Sequence, residues 1–302
     1  MPEITRKRSG ELLRRLFEIL AQAPEGLPAR VALDRLAASV TLTTYEAGEY
    51  QSSGTRRFDK IVRFATVDCV KAGWMLKHKG VWTLTEAGLE AYRAFPEPEA
   101  FYREAVRLYR QWRASQPGGT DKSLVEMQAD ENSAGAEKSA SITFEQAEEQ
   151  AWGEIERYLH GMNPYEFQDL VADLLTAMGY HVAWVSPPGR DGGVDIIAHT
   201  DPLGTQPPRI KVQVKRVAAK VDKDGLKSFL AIIGDEDVGI FVAAGGFTRD
   251  AEEFARGQER RRVTLVDLER LVDLWVAHYG KLSDAARRRL PLTPIHFLTP
   301  QA

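Results

Sequence analysis

Asp195, Gln213 and Lys215 are the residues whose types and spacing could do chemistry together. Asp195 stands in Gly189-Arg190-Asp191-Gly192-Gly193-Val194-Asp195-Ile196-Ile197, a glycine-rich turn running into an apolar stretch. Gln213 and Lys215 stand in Ile210-Lys211-Val212-Gln213-Val214-Lys215-Arg216. Both stretches read as β-strands. In the second, Ile210, Val212 and Val214 alternate with Lys211, Gln213 and Lys215, so a period of two sends the apolar set to one face and the polar set to the other. In the first, Val194 and Ile196 share a face and Asp195 points to the opposite one. If the strands pair, Asp195, Gln213 and Lys215 converge. A carboxylate and an amide oxygen suit Mg²⁺, and an adjacent ammonium can stabilise or orient an attacking group at a phosphodiester. A strand with one solvated polar face would explain Gln-x-Lys alone. The glycine-rich turn and the spacing between the strands favour the chemical reading.

These strands need a scaffold. Asn163 followed by Pro164 is a helix start, a cap residue and then proline at the first helical position. Phe167, Leu170, Val171, Leu174, Leu175 and Met178 then fall on one helical face, and Gly179 ends the run. Glu166 lies in the first turn, where it either reaches a site at a strand edge or answers the helix dipole. Tyr180–Val185 reads as a strand. A helix around Lys223–Ile233, a buried strand Val238–Ala244, a helix capped by Thr248, a strand Val263–Val266 and a helix Leu268–Tyr279 follow. The order α-β-β-β-α-β-α-β-α predicts a mixed central sheet flanked by helices.

The first third differs. Leu12, Leu13, Leu16, Phe17, Ile19 and Leu20 give an apolar helix face. Short helices over residues 29–40 and Arg56–Lys71 follow. Trp74-Met75-Leu76 and Val81-Trp82-Thr83-Leu84 then flank Lys77-His78-Lys79-Gly80 as a hairpin with a basic tip. Three helices and a hairpin are the winged-helix order, which lays its third helix in the major groove of DNA. Arg56, Arg57, Lys60 and Arg63 on that helix, with Lys77 and Lys79 on the wing, are the candidate DNA contacts. A solvated basic face, or a winged helix used for protein contacts, is the competing account.

Between the two halves, Gln116–Ser141 is rich in Gly, Ser, Ala, Asp, Glu and Lys, and no aromatic residue occurs between Trp112 and Phe144. Such a segment buries little apolar surface and reads as a flexible tether. The expected division is residues 1–95, a winged-helix domain; 96–141, a helix and linker; 142–280, the α/β domain; and 281–302, a tail.

The 302 residues carry a formal net charge of −3, which does not announce a nucleic-acid binder. The charge is uneven, however. From Arg209 to Lys227 seven basic residues face only Asp222 and Asp224, and Arg260, Arg261 and Arg262 form another cluster. Patches of this kind attract a polyanion in a salt-dependent way. The single cysteine, Cys69, excludes an intrachain disulfide and any multi-cysteine zinc site. No apolar run approaches the ~20 residues of a membrane span. A reduced, soluble, cytoplasmic protein is expected.

Gly189-x-Asp191-Gly192-Gly193-Val194-Asp195-Ile196 followed by Gln213-Val214-Lys215-Arg216, with Tyr165-Glu166-Phe167 and Met178-Gly179-Tyr180 ahead, resembles the Mrr-type restriction endonuclease catalytic domain. That domain is a branch of the PD-(D/E)xK nucleases. Phe241–Thr248 and Ala251 also fit its pattern. The resemblance covers roughly Trp152–Tyr279, and residues 12–94 are similar to the winged-helix domain that often precedes it. It implies a restriction-endonuclease-like fold, with Asp195 as metal-binding aspartate. Gln213 stands where most of the superfamily has Glu or Asp. Lys215 is then the catalytic lysine, Glu166 the helix carboxylate, and Asp191 an extra ligand unless it serves only the turn. Mg²⁺ or Mn²⁺ is the implied cofactor and double-stranded DNA the implied partner. Restriction of foreign or modified DNA, type IV-like, is the implied role, carried out by a dimer or higher homo-oligomer. The alternatives are a DNA-binding regulator with a non-catalytic α/β domain, and a repair nuclease or junction resolvase on the same fold.

Overall fold

The computed structural model describes residues 4–50, 56–115, 124–189, 192–259 and 261–297, with the backbone alone for 124–137. Two compact units emerge, one from residues 1–153 with 296–302, the other from 154–295.

The first unit follows the winged-helix order. Its elements are α1 (Arg6–Ala21), β1 (Leu27–Pro28), α2 (Ala29–Ser39), α3 (Arg57–Lys71), β2 (Met75–His78), β3 (Val81–Leu84), α4 (Glu86–Ala94) and α5 (Pro98–Ala114). The three strands form an antiparallel sheet in the order β1-β3-β2. Leu12, Leu16 and Phe17 of α1, Phe58 and Val62 of α3, and Trp82 of β3 are all buried in one core. Hydroxyls set the helix starts: Thr5 accepts from the Arg8 N–H and Thr85 from the Gly88 N–H, each satisfying a donor that the first turn leaves open.

The connector corrects the tether expectation. Leu124–Gly161 is one helix, α6, of 38 residues, while 116–123 lie outside the described residues. Between Lys138 and Trp152 it packs against α3 and the hairpin. Its docking stripe is Lys138, Ile142, Glu145, Glu149 and Trp152, at helical spacing. A stripe with so few apolar residues is invisible to hydrophobic periodicity. Charge pairs made across the fold hold it instead.

The second unit reproduces the expected order. After the end of α6 come α7 (Pro164–Ala177), β4 (His181–Val185), β5 (Ile196–His199), β6 (Arg209–Lys215), α8 (Lys223–Ala231), β7 (Asp237–Ala243), α9 (Arg249–Arg256), β8 (Arg262–Asp267) and α10 (Leu268–Ala277). A further helix, α11 (Asp284–Arg289), lies where a tail was expected, and Arg289 pairs with Asp169 and Asp173 of α7. The sheet order is β4-β5-β6-β7-β8. Its first three strands are antiparallel and its last three parallel, a mixed sheet. Both late crossovers run through helices, as parallel pairing requires. The first strand is shorter than the sequence suggests. β5 begins at Ile196, so Asp195 stands just ahead of the strand and the glycines before it form a turn.

Candidate active site and nucleic-acid interface

Asp195 is fixed by backbone on both sides. Its N–H donates to Val212 O at 2.8 Å, and its carbonyl accepts from the Ser186 N–H at 2.8 Å. The carboxylate Oδ2 accepts from the Val214 N–H at 2.7 Å, between Gln213 and Lys215. Asp195 is buried, at 7% exposure, so this amide holds a desolvated carboxylate against β6.

Gln213 and Lys215 line a cleft of about 260 Å³ with Gly192, Gly193, Gly225 and Ile232. Gly193 has a φ of +87°, and a Cβ there would come within 3.2 Å of Ile232 Cδ1 and 3.8 Å of Gln213 Nε2. A side chain at Gly193 would therefore be strained and would crowd the amide. The three β6 cations have separate fates. Lys211 is consumed by Asp237 at 2.8 Å and Ile232 O at 2.7 Å. Arg209 also meets Asp237, at 3.2 Å. The Lys215 ammonium forms no ion pair among the described residues and sits 5.5 Å from the Phe241 ring centroid, a contact that leaves its charge unneutralised.

The broader basic patch is partly spent in the same way. Lys227 pairs with Asp224, Arg216 donates to His160 O, and Arg261 donates to Leu230 O. Arg260 lies outside the described residues, as do Arg190 and Asp191.

Glu166 stands on α7, apart from the strand residues. It is exposed in the first turn of α7. Two positions on, about 200° round the helix, Gln168 is buried at 6% exposure and faces the site. Its Nε2 donates to Ser186 O at 2.8 Å and lies 3.5 Å from Asp195 O. Gln168 thus ties α7 to the backbone on both sides of the Asp195 junction. The sequence signal was a polar residue beside Phe167 on the inward face.

The donor set suits a hard, hydrated cation. It comprises one buried carboxylate and a Gln213 amide for which no hydrogen bond occurs among the described residues. No group of three or more His, Cys, Asp or Glu gathers among them to form an all-protein cage. Mg²⁺ commonly binds through one or two carboxylates and keeps several waters.

In the first unit, the six candidate DNA contacts separate into two groups. Arg57 stacks on Tyr45 and Tyr50, at 4.7 and 5.8 Å to the centroids, and Lys60 lies 4.9 Å from the Tyr50 centroid. Neither makes an ion pair among the described residues. Arg56 bridges Asp34 at 2.6 Å and Asp59 at 3.0 Å. The rest contact α6 and are buried or half-buried. Arg63, 5% exposed, meets Glu145 at 2.5 Å and Glu149 at 2.7 Å. Lys77 meets Glu145 at 2.7 Å and the Thr66 hydroxyl at 2.9 Å. Burial pushes the Lys77 pKa below its ordinary value, although Glu145 pulls it upward. Lys79 donates its backbone N–H to Glu148 at 3.3 Å, with its ammonium 4.9 Å from the Trp152 centroid. The Trp82 indole N–H completes the cluster, donating to Glu145 at 2.9 Å.

No helix among the described residues is long and apolar enough to cross a membrane. Residues 159–275 match a family described as restriction endonuclease, and residues 10–94 match the Mrr N-terminal domain. The type IV methyl-directed restriction enzyme EcoKMrr of Escherichia coli is 27% identical over 283 residues, covering 86% of this chain and 89% of that enzyme. The MspJI restriction endonuclease, solved with a 27-mer oligonucleotide, aligns at a TM-score of 0.31 and 21% identity, covering 51% of this chain and 36% of that one. Both units are matched in order and one relative aligns across them, and together these matches support an Mrr-type restriction endonuclease, a nuclease.

Proposed function

We propose that the chain is a Mg²⁺-dependent endonuclease that hydrolyses phosphodiester bonds of duplex DNA in restriction of foreign, modified DNA, with Asp195, Gln213 and Lys215 as its active residues. The observation that carries this reading is the 2.7 Å bond by which the Val214 N–H, from the backbone between Gln213 and Lys215, holds the buried Asp195 carboxylate against β6. Mg²⁺ held by Asp195 and the Gln213 amide oxygen would supply the Lewis acidity that polarises a phosphate and acidifies bound water. Mn²⁺ would serve the same donors.

The chain's own residues do the rest. Asp195 presents a desolvated charge whose direction is fixed by backbone, so little reorganisation is needed at the moment of reaction. Lys215, which has no ion pair among the described residues, brings its ammonium to the cleft, where it offsets negative charge developing on the phosphate or orients the attacking water. Phe241 supports that ammonium without neutralising it. Gln168 holds the Ser186 and Asp195 backbone in register. No covalent nucleophile is required.

The aligned relative is described as methyl-directed, which favours modified DNA as the substrate. Arg57 and Lys60 supply phosphate contacts for the winged helix. Cutting both strands takes two active sites or two visits by one, and a dimer or larger homo-oligomer is the expected working species. The test is cleavage of methylated and unmethylated plasmid with Mg²⁺, beside Lys215→Ala. Metal-dependent cleavage that Lys215→Ala abolishes supports the reading. Absence of cleavage on both substrates, with salt-sensitive DNA binding retained, favours a non-catalytic regulator.

A further inference from the structure

We propose that the acidic face of α6 is an autoinhibitory cover for the DNA-binding face of the winged helix, with Glu145, Glu148 and Glu149 occupying the positions that DNA phosphates take in the bound state. The inference rests on the winged helix being a DNA-contacting unit, and it assigns that surface a regulation.

The first support is where the cover lies. Phe58, Val62, Ala65 and Cys69 form the inward stripe of α3. Lys60, Arg63 and Val67 lie on the other side, the side a winged helix turns to the groove. α6 runs along that side from Val67, which packs with Ile142, to the wing. At the tip, a Cβ on Gly80 would lie 2.7 Å from Glu149 Cγ, so the wing and α6 are in close contact.

The second support is what the cover presents. Glu145 accepts from Arg63, Lys77 and the Trp82 indole, which are donors from α3 and from both hairpin strands. Three converging donors on one anionic group is the arrangement a phosphate receives at a protein–DNA interface. Glu149 takes the second arm of Arg63, and Glu148 takes the Lys79 N–H.

The third support is energetic. A helix docked by an apolar stripe would expose that stripe on leaving. This stripe offers only Ile142 and Trp152 as large apolar groups. Its buried ion pairs largely spend their attraction on desolvation. A polyanion that replaces the carboxylates keeps Arg63 and Lys77 paired and gains counterion release. Arg57 and Lys60, without ion pairs among the described residues, give DNA a first foothold outside the cover.

The test uses the full-length protein in EDTA, which prevents cleavage, with a fluorescent 30-bp duplex read by anisotropy over a salt series. Glu148→Gln with Glu149→Gln should tighten binding about tenfold and steepen the salt slope by roughly 2–3, as Arg63, Lys77 and Lys79 join the contacts. Glu145→Gln should act in the same direction. If that variant fails to fold, the double variant, checked by its melting curve, carries the test. Hydrogen exchange supplies an independent readout: saturating duplex should lower protection of residues 142–152. Unchanged affinity and slope in a folded double variant, or unchanged protection with DNA bound, overturns the cover. Arg57→Ala with Lys60→Ala separates the levels. If that pair leaves wild-type binding untouched, the winged helix is not the DNA-binding unit and both readings fall. If it weakens binding while the glutamates have no effect, only the cover falls.

Discussion

Asp195→Asn and Asp195→Ala should separate the charge of this carboxylate from its structural hydrogen bond. The side chain is 7% exposed, and its Oδ2 accepts from the Val214 N–H at 2.7 Å. Asparagine keeps an acceptor for that amide and removes the charge. The fold should hold, and a desolvated anion is lost, so the melting temperature should stay level or rise. Cleavage should fall by at least the ~10²–10³-fold seen when one preorganised electrostatic contact is deleted. Alanine removes the acceptor too. A buried N–H left unpaired costs about 1–3 kcal/mol, which in a unit of this size is a drop of roughly 3–9 °C. The assay is plasmid cleavage over a Mg²⁺ series, with thermal melts of the same preparations. Asp195→Asn protein that cleaves at the wild-type rate would refute the chemical role. Asp195→Ala protein that melts with wild type would refute the account of the Val214 amide.

Lys215→Ala should cost about 10²-fold or more in cleavage, while Gln213→Glu should lower the Mg²⁺ concentration needed for half-maximal cleavage; an unchanged metal dependence would place Gln213 away from the metal. Arg57→Ala with Lys60→Ala should weaken duplex binding and flatten its salt slope by roughly 2, measured by anisotropy at several salt concentrations. Acid should destabilise the second unit through Asp237. Burial raises the Asp237 pKa, but its bonds to Lys211, Arg209 and the Gly234 N–H together bring it below the ordinary carboxylate value. Its stabilisation is therefore present above about pH 4 and is lost as the pH falls through the depressed folded value. Melts at descending pH should show a steep loss in wild type and a shallower one in Asp237→Asn.

The order of elements in the catalytic unit was legible because each carries its own local signature. Asn163-Pro164 starts α7, Thr248 caps α9, and the alternation of Ile210, Val212 and Val214 with Lys211, Gln213 and Lys215 marks β6. The same alternation put Gln213 and Lys215 on one face, and the glycines ahead of Asp195 announced the turn. These are properties of short windows, and a sequence states them directly. Three outcomes depended on partners distant in sequence. Gln168, not Glu166, faces the Asp195 junction, because the rotation of α7 against β4 and β5 decides which polar residue is inward. Lys211 and Lys215 are equivalent by periodicity, yet Asp237 from β7 neutralises the first, while the second has no ion pair among the described residues. Arg63 and Lys77 read as free basic residues until α6, about 70 to 80 positions away, supplies Glu145. Local pattern fixes which face of an element is apolar. Whether a charge on the other face meets solvent or a carboxylate is settled only when the elements pack.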